Sequence, residues 1–371
     1  MRISTSSEEL LKVLQTLSKG TPARSTLPIL SCVLFEVDNS GVSLRTTDLE
    51  IAIHCKLEAS IEKPGAAAIP LQTLMDITGE LSETRIVLNV DDNQKIELIT
   101  DSGVYDLMGK SVEEFPALPE VDNRKASGIE AKILKEIIQT TAFAISKDEL
   151  KPALTGVLFR FETNRLTVVA TDGHRLVRYI RNDFEGKEFL GDVIIPKKFL
   201  NLMNSILIGS DSVQVWMGDN NLTANVSGHS IFTRTIDERF PDFESVIPAD
   251  NDKEVTVERK ALLSAVKRVS IFSNRSTQQI ALDVSKEKTI VRTEDPEKAS
   301  KAKEEISSKL NGDDITVGYN AAYLKEVLMH IKSQNIVFHL KTAISAGLIY
   351  PDTQEPGGEI TMLLMPIRLN D

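Results

Sequence analysis

Cysteines, long apolar runs and aromatic residues are all scarce in this 371-residue chain. Its two cysteines, Cys32 and Cys55, could form one disulfide at most, and reduced thiols of a cytosolic protein are the better interpretation. No run approaches the roughly 18–20 apolar residues that cross a bilayer. The N-terminus also lacks the basic and apolar segments of a secretory signal. We therefore expect a cytoplasmic protein with no membrane partner.

The usual signatures of catalysis and metal binding are missing as well. No GxGxxG occurs, and the nearest match to a phosphate loop, ending in Gly109-Lys110-Ser111, has one residue too many between its glycines. None of the five histidines stands in a HExxH arrangement or near a cysteine pair. The few aromatic residues are not interleaved with basic ones, as stacking on single-stranded bases would require. The sequence thus predicts no metal and no cofactor.

Positive charge is in deficit, with 43 Lys and Arg against 54 Asp and Glu and a formal net charge of −11. A protein held on nucleic acid by affinity alone would need the opposite balance, because counterion release onto basic side chains drives phosphate binding. A closed ring around DNA needs only a locally basic lining. The net charge cannot separate these two classes, whereas the distribution of charge along the chain can.

A threefold internal repeat is the most informative feature that is present. The first copy begins with a helical stripe of Leu10, Leu14 and Leu17, preceded by Ser6 and Glu9 at capping-box spacing. Three of its short motifs return at offsets of 124 or 125: Val-Leu-Phe at 33–35 and 157–159, Thr-Asp at 47–48 and 171–172, and Phe-Pro at 115–116 and 240–241.

A weaker third copy has a helix from position 258, a strand at 280–284 and a second helix after position 320. Each copy contains two amphipathic helices and several alternating strands, which predicts an α+β fold with the helices on one face of an antiparallel sheet. Polar stretches near 121–127 and 249–253 predict three domains, 1–124, 125–250 and 251–371. Two such arcs joined head to tail form a closed ring if the rotation closes.

The six predicted helices carry a small excess of positive charge. Over 8–19, 71–81, 130–143, 197–207, 258–272 and 320–331 there are eleven Lys or Arg and eight Asp or Glu, which leaves −14 for the rest of the chain. Taken alone, this describes ordinary solvated helix faces. In a ring it is a mildly basic lining, which suits mobile, non-specific contact with phosphates.

One acid–base pair, Asp172 and His174, is a candidate for catalysis. Its counterpart in the first repeat, Asp48, is followed by Leu49 and Glu50, and no partner nucleophile is evident. We favour a turn held by Asp and Gly after a strand. A hydrolase remains one rival interpretation, and a repeat scaffold that binds peptides without encircling DNA is the other.

Four motifs carry a resemblance that runs from end to end of the chain: Thr-Leu-Pro-Ile-Leu at 26–30, Ala-Thr-Asp-Gly-His-Arg-Leu at 170–176, Arg-Phe-Pro-Asp at 239–242 and Leu-Met-Pro-Ile-Arg-Leu at 364–369. With them the chain resembles the β subunit of bacterial DNA polymerase III, the sliding-clamp family. The resemblance implies a head-to-tail homodimer of three-domain chains around duplex DNA, processivity without enzymatic activity, and no cofactor. The implied partners are the polymerase III α subunit, the clamp-loader δ subunit and other proteins with clamp-binding motifs.

The resemblance also implies DNA contacts by Arg24, Lys151, Lys197 and Lys198. The family has a basic, often aromatic loop before the Leu-x-Gly of its second domain. Here that loop reads Lys151-Pro152-Ala153, which keeps one charge and no aromatic ring.

A groove between the second and third domains is implied as well, and in the family it accepts short linear motifs. Its Leu, Val, Ile, Met and Pro side chains would form an adaptable apolar trough, while His174, Arg175 and Arg368 would orient the peptide. The alternative is that these side chains are interdomain core. Two departures are Ser245, at a frequently basic rim position, and Asn370-Asp371, past the usual end. The matching positions are Leu154, Thr171, Gly173, His174, Arg175, Leu176, Pro241, Val246, Asn320, Tyr323, Ile344, Leu363, Met365, Pro366, Ile367 and Arg368.

Ring closure is implied between edge segments of the first and third domains, with Tyr105 and Leu107 against Ile271 and Phe272. The polar residues around them are separated by sign, which reverses the polarity often found in the family. The first-domain side carries Asp101 and Asp106, and the third-domain side carries Lys298, Lys301 and Lys303. The alternative is a solvated Lys-rich loop that never reaches the interface, since Glu304 and Glu305 follow directly.

Overall fold

Residues 1–22, 24–117, 126–184, 190–218 and 220–369 are described by the structure, a computed structural model. The chain divides into two compact units, 1–133 with 201–235 and 134–200 with 236–371. Neither unit coincides with a repeat, because the central repeat contributes strands to both. Most of the first predicted boundary, at 121–125, and the extension at 370–371 lie outside the described residues.

The described residues contain all six predicted helices, with ends within three residues of those expected. The Ser6 hydroxyl accepts the Glu9 N–H at 3.2 Å and caps the first helix, whose Leu10, Leu14 and Leu17 are buried. Pro70 directly precedes the second. The helices are α1 (Ser7–Leu17), α2 (Leu71–Glu80), α3 (Ala131–Thr141), α4 (Lys197–Ile206), α5 (Arg259–Val269) and α6 (Ala321–His330).

Two antiparallel sheets belong to the first unit. Their strands are β1 (Arg2–Ser6), β2 (Cys32–Asp38), β3 (Gly41–Thr47), β4 (Ile51–Leu57), β5 (Ser60–Lys63), β6 (Gly65–Pro70), β7 (Arg85–Val90), β8 (Lys95–Ile99), β9 (Val104–Met108), β10 (Ala126–Glu130), β15 (Ser212–Met217), β16 (Asn221–Val226) and β17 (His229–Arg234). One sheet has the order β5-β1-β7-β8-β9, and the other β10-β15-β16-β17-β4-β3-β2-β6. In the second sheet β17 pairs with β4, with Ile231 opposite Ile53, so backbone hydrogen bonds continue from one repeat into the next.

A single twelve-stranded sheet organises the second unit. Its strands are β11 (Gly156–Glu162), β12 (Arg165–Thr171), β13 (Arg175–Arg181), β14 (Gly191–Pro196), β18 (Lys253–Glu258), β19 (Gln279–Val284), β20 (Lys288–Asp295), β21 (Ser300–Asn311), β22 (Ile315–Asn320), β23 (Asn335–Leu340), β24 (Gly347–Pro351) and β25 (Gly358–Leu364). The order is β14-β11-β12-β13-β25-β24-β23-β18-β21-β20-β19-β22. Here β13 of the central repeat pairs with β25 of the third, with Leu176 opposite Leu363.

The helices pack in pairs, α1 against α2 and α5 against α6, and α1 and α5 also contact neighbouring strands. The thiols of Cys32 and Cys55 are free and buried in β2 and β4. Burial raises the pKa of both thiols, that of Cys55 to about 12, so they stay protonated and unreactive. Every helix in the described parts of the chain is too short or too polar to span a lipid bilayer.

A tight turn joins β3 to β4. The Thr47 hydroxyl donates to the Ile51 carbonyl at 2.8 Å, and the Asp48 carboxylate accepts the Ile51 N–H at 2.8 Å. Leu49, at the tip, has φ 77°, a left-handed conformation that disfavours a side chain. The sheet connection thus holds a leucine where glycine would be unstrained.

Candidate functional site

The site is built on the turn between β12 and β13. The Thr171 hydroxyl donates to the Arg175 carbonyl at 2.6 Å, and the Asp172 carboxylate accepts the N–H groups of His174 and Arg175 at 2.9 and 3.0 Å. Gly173 lies at the tip with φ 91°. These bonds repeat those of the 47–51 turn. Asp172 is therefore committed to the turn, as the sequence favoured, rather than to the His174 ring.

The Arg175 guanidinium is buried, with only 6% of the residue exposed. Its Nε donates to Asp172 at 3.1 Å, its Nη1 to Glu326, and its Nη2 to the Phe143 carbonyl at 2.8 Å. Two carboxylates thus surround the charge, as a buried charge requires. The resemblance implied that Arg175 orients a bound peptide, but all three nitrogens are engaged within the protein. In this structure the residue holds the turn that carries His174 against α6.

Two aromatic rings lie against that guanidinium. Its Cζ is 4.8 Å from the ring centroid of Tyr323 and 5.1 Å from that of Phe143. His174 stacks on Tyr323 at 5.7 Å, and His330 stacks on Phe143 at 4.0 Å. Burial, the largest cause, raises the pKa of Tyr323, so its phenol stays neutral. We call the run His174–Tyr323–Arg175–Phe143–His330 the aromatic column; it is held by stacking and cation–π contacts.

Three residues of this network, Phe143, Glu326 and His330, were not among the predicted positions. Glu326 is 151 residues from Arg175 and Phe143 is 32 residues from it, so no local spacing reveals the contacts. The one available signal was helical. Tyr323, Glu326 and His330 are spaced by three and four residues and share a face of α6. The His330 Nδ1 lies 2.7 Å from the Glu326 carbonyl on that face.

Part of the predicted groove is core. Leu176 and Leu363 belong to a buried cluster with Leu158, Val169 and Leu348. These positions follow the alternative in which the apolar residues are simply interior. Leu154 is likewise buried, in the short turn Pro152–Leu154.

Another part is exposed. The exposed fraction is 52% for Val246, 65% for Ile344 and 41% for Met365. Ile247, which follows Val246, and Ala346, two residues after Ile344, both pack against the buried cluster. Val246 and Ile344 are therefore close in sequence to residues that contact the core. A contiguous patch of such exposed apolar side chains is typical of a binding surface.

Backbone hydrogen bonds hold the C-terminal segment. The Met365 N–H donates to the His174 carbonyl and the Ile367 N–H to the Gly318 carbonyl, both at 2.9 Å. A Cβ on Gly318 would lie 2.5 Å from the Ile367 oxygen, so this approach requires glycine. Asn320 caps α6 by accepting the N–H groups of the first turn. Of the remaining predicted positions, Pro241 and Arg368 are exposed and Pro366 is half-buried.

The residues predicted to contact DNA lie at the surface or near it. Arg24 and Lys151 are exposed, and the Lys151 Nζ is 3.9 Å from Asp148. Lys197 and Lys198 are the first two residues of α4. The departure at Ser245 is also exposed, and its hydroxyl donates to the backbone of Asp242. Within the described residues, no three His, Cys, Asp or Glu side chains are grouped to bind a metal ion.

The predicted closure residues lie on an edge strand and in a turn. Tyr105 and Leu107 are half-buried on β9, the outermost strand of its sheet. Ile271 and Phe272 are 76% and 45% exposed. The Ser300 hydroxyl donates to the Phe272 carbonyl at 3.2 Å, which joins that turn to the start of β21.

Models of the three DNA polymerase III beta subunit domains match the chain in order. The N-terminal domain covers 1–119, the central domain 128–242 and the C-terminal domain 244–368. The chain belongs to this family. The predicted three-domain α+β fold and the role as a sliding clamp in DNA replication are thereby confirmed. Dimeric rings are known for this clamp family.

Relatives of the clamp match over its full length. The beta sliding clamps of Pseudomonas putida and Synechococcus elongatus are each 30% identical, covering 100% of both chains. Among solved structures, the Bacillus subtilis clamp is 25% identical with a TM-score of 0.94, and the Pseudomonas aeruginosa beta subunit is 29% identical with a TM-score of 0.93. Both comparisons cover 100% of each chain. A Pseudomonas aeruginosa clamp was also solved bound to griselimycin.

Arg175→Lys tests the aromatic column. Lysine keeps the charge but loses the three-way donor set and the planar stacking. We expect the free energy of unfolding to fall by about 2 kcal/mol, measured by urea denaturation, because a buried ion network is left partly unpaired. Arg165→Lys is the control, since Arg165 is exposed with a 3.9 Å contact to Glu162, and it should change stability by less than about 0.5 kcal/mol. Equal effects of the two variants would contradict the structural role of Arg175.

Proposed function

We propose that two copies of this clamp close head to tail around duplex DNA and act as a tether without catalytic activity of their own. The three domains would span 1–124, 125–250 and 251–371, and replication places the clamp in the cytoplasm. The observation that carries the absence of catalysis is Asp172, whose carboxylate is engaged by two backbone N–H groups and Arg175. A hydrolytic activity of the unaltered clamp that is lost in His174→Ala, measured in a broad hydrolase screen, would contradict this.

The charge on the helices supports the proposal that the ring encloses DNA. With the helix bounds of the structure, ten Lys or Arg stand against six Asp or Glu, an excess of four, and −15 remains elsewhere. Not all ten are available, because the Arg259 guanidinium donates to two backbone carbonyls and Arg268 pairs with Glu304. The other basic side chains suit contacts with phosphates that are weak enough for the clamp to slide along DNA.

The start of α4 is the clearest phosphate-binding element in this proposal. Lys197 and Lys198 stand at the N-terminus of the helix, where the positive end of the helix dipole also lies. Two cations are unfavourable there for the helix itself. Phosphate between them would remove that repulsion. Arg24 and Lys151 would add contacts from loops.

The second proposed element is a groove for short linear motifs on the second unit. The exposed Val246, Ile344 and Met365 would receive apolar side chains, and the aromatic column would fix the His174 rim. Polymerase III α and the clamp-loader δ subunit are the partners we propose, with other motif-bearing proteins. The griselimycin complex of a 29% identical clamp agrees with a ligand site in the family.

The third element is closure between β9 of one protomer and β21 of the other. Residues 300–307 of β21 pair with β20, while only 308–311 pair with β18, so the first part has one described neighbour. Glu304 and Glu305 are engaged with Arg268 and Lys288. Lys301 and Lys303, exposed on one face, then carry the charge that would meet Asp106 of the other protomer, whose carboxylate lies in an exposed pair 3.3 Å from its own Lys95.

Reversing the charge at α4 tests the DNA contact. In Lys197→Glu/Lys198→Glu, retention on a nicked plasmid after loading should fall roughly fivefold, because two phosphate contacts are lost. Acidic residues favour a helix N-terminus, so unfolding should not explain the loss. The control Lys56→Glu/Lys286→Glu makes the same charge change away from α4. Retention is measured before and after linearising the plasmid, and binding that survives linearisation would contradict the ring.

Met365→Asp tests the groove. A peptide containing Leu-x-Leu-Phe should bind the unaltered clamp with a Kd on the order of micromolar, since it buries two or three apolar side chains less the cost of ordering. Fluorescence anisotropy should show at least about tenfold weaker binding by the variant. The control is Met329→Asp, also a half-exposed methionine, on α6. Unchanged binding by Met365→Asp would contradict the assignment.

Lys301→Glu/Lys303→Glu tests closure. Lys298 is left in place because it already lies 3.5 Å from Asp295. We expect subunit exchange, followed by energy transfer between labelled protomers, to accelerate roughly threefold to tenfold, since each exposed pair contributes little. Asp106→Lys should restore part of the original rate. Lys309→Glu, on the part of β21 paired with β18, is the control. An unchanged rate in the double variant would leave closure to the apolar residues.

A further inference from the structure

A second cleft lies in the first unit, on the turn that joins β3 to β4. Its volume is about 310 Å³, within the range of small ligand sites. It is separate from every residue assigned above to the groove, to DNA or to closure. Its lining includes Leu49, Ile51, Ala52, Pro116, Phe232 and Arg234.

The backbone of this cleft matches that of the groove. In the groove the Met365 N–H donates to the His174 carbonyl, and in the cleft the Arg234 N–H donates to the Glu50 carbonyl at 3.3 Å. His174 and Glu50 follow the tips of the two equivalent turns. Arg234 therefore stands where the groove has Met365.

The strand registers extend the match. Phe232 lies opposite Ala52 in the β17–β4 pair, as Leu363 lies opposite Leu176 in the β13–β25 pair. Pro116 likewise corresponds to Pro241 at the offset of 125. The same scaffold is thus present twice, with different side chains.

Those side chains change the chemistry of the cleft. Ile51 replaces Arg175, so this turn has no buried guanidinium, and Ile51 and Phe232 form an apolar floor that is 2% and 7% exposed. Arg234 is exposed at the mouth, and no side-chain partner is found for it among the described residues. Glu50 also lines the cleft but already has an interaction partner. Arg234 is therefore the charge left for a ligand.

Leu49 adds an independent observation. It is half exposed and keeps a left-handed backbone that glycine adopts at the equivalent position 173. Strain of this kind persists at sites where the side chain has a use. Leu49 supplies an apolar wall at the mouth of the cleft, beside the exposed Glu50.

We propose that this cleft is a second docking site, for an extended peptide segment that places one leucine on Phe232 and an acidic residue beside Arg234. Charge complementarity selects this ligand over the neutral apolar motif proposed for the groove. One buried side chain and one exposed ion pair give a Kd on the order of 1 mM for the isolated segment. A partner tethered elsewhere on the clamp or on its DNA supplies a comparable effective concentration.

The test uses the full-length clamp with ¹³C-labelled Ile and Leu methyl groups. The probe is the capped peptide Gly-Asp-Leu-Asp-Gly, and its analogue Gly-Asn-Leu-Asn-Gly removes only the charge. We expect saturable shifts of the Leu49 and Ile51 methyl signals, with at least about fivefold weaker binding of the analogue. No saturable shift up to about 5 mM peptide, or equal binding of both peptides, overturns the proposal.

Two variants and a control test the assignment to these side chains. Leu49→Asn removes the apolar wall while tolerating positive φ, and Arg234→Glu reverses the charge. Each should weaken the probe at least about fivefold, whereas Lys56→Glu, on the same strand β4, should change binding less than about twofold. Unaltered binding by Arg234→Glu overturns the proposal.

Because the ligand class is taken from the groove proposed above, the Leu-x-Leu-Phe peptide is titrated in parallel and followed at the Ile344 methyl. If the Leu-x-Leu-Phe peptide causes no shift at Ile344 while the probe peptide shifts Leu49, the groove alone is contradicted. If the probe peptide causes no shift at Leu49 while the Leu-x-Leu-Phe peptide shifts Ile344, the cleft alone is contradicted.

Discussion

A buried guanidinium is stable only where its charge and donors are satisfied, and at Arg175 this requirement organises much of the second unit. Asp172 comes from the β12–β13 turn, Glu326 from α6, and the Phe143 carbonyl from the turn after α3. Each segment must be in place before the charge is neutralised. Buried ion networks add little net stability but penalise other arrangements. The network therefore holds the β12–β13 turn, which carries His174, in one position.

The sequence was sufficient for elements with local causes. Ser6 and Glu9 predicted the start of α1, and Asp172 with Gly173 predicted the turn after β12. It was insufficient where contacts join distant segments. Nothing near Arg175 in the chain indicates Glu326, so the internal partners of its guanidinium could not be predicted from the sequence. The division into two units could not be predicted from the sequence either, because it depends on strand pairings such as β4 with β17.

The two turns show how a repeat keeps its scaffold while its surface changes. Main-chain bonds from Arg234 to Glu50 and from Met365 to His174 are made by atoms that every residue except proline possesses. Side chains at those positions are therefore free to differ. The limit is conformational: glycine fits the tip at position 173 without strain, whereas the leucine at position 49 is held there by the surrounding sheet. Repeats of one fold can in this way present different ligand chemistries.

The distribution of charge, like the side chains of the two turns, can vary over the surface without changing the scaffold. A protein that stays on DNA by affinity must be basic enough to release many counterions, and tight phosphate contacts then slow its movement. A ring is retained by topology, so its lining needs only a small excess of positive charge, and strong contacts would work against sliding. The remaining surface is then free to be acidic. An acidic exterior disfavours binding to DNA from outside the ring, where contact would be unproductive. The net charge of −11 is thus compatible with a DNA-bound protein, because positive charge is needed only on the surface that faces the DNA.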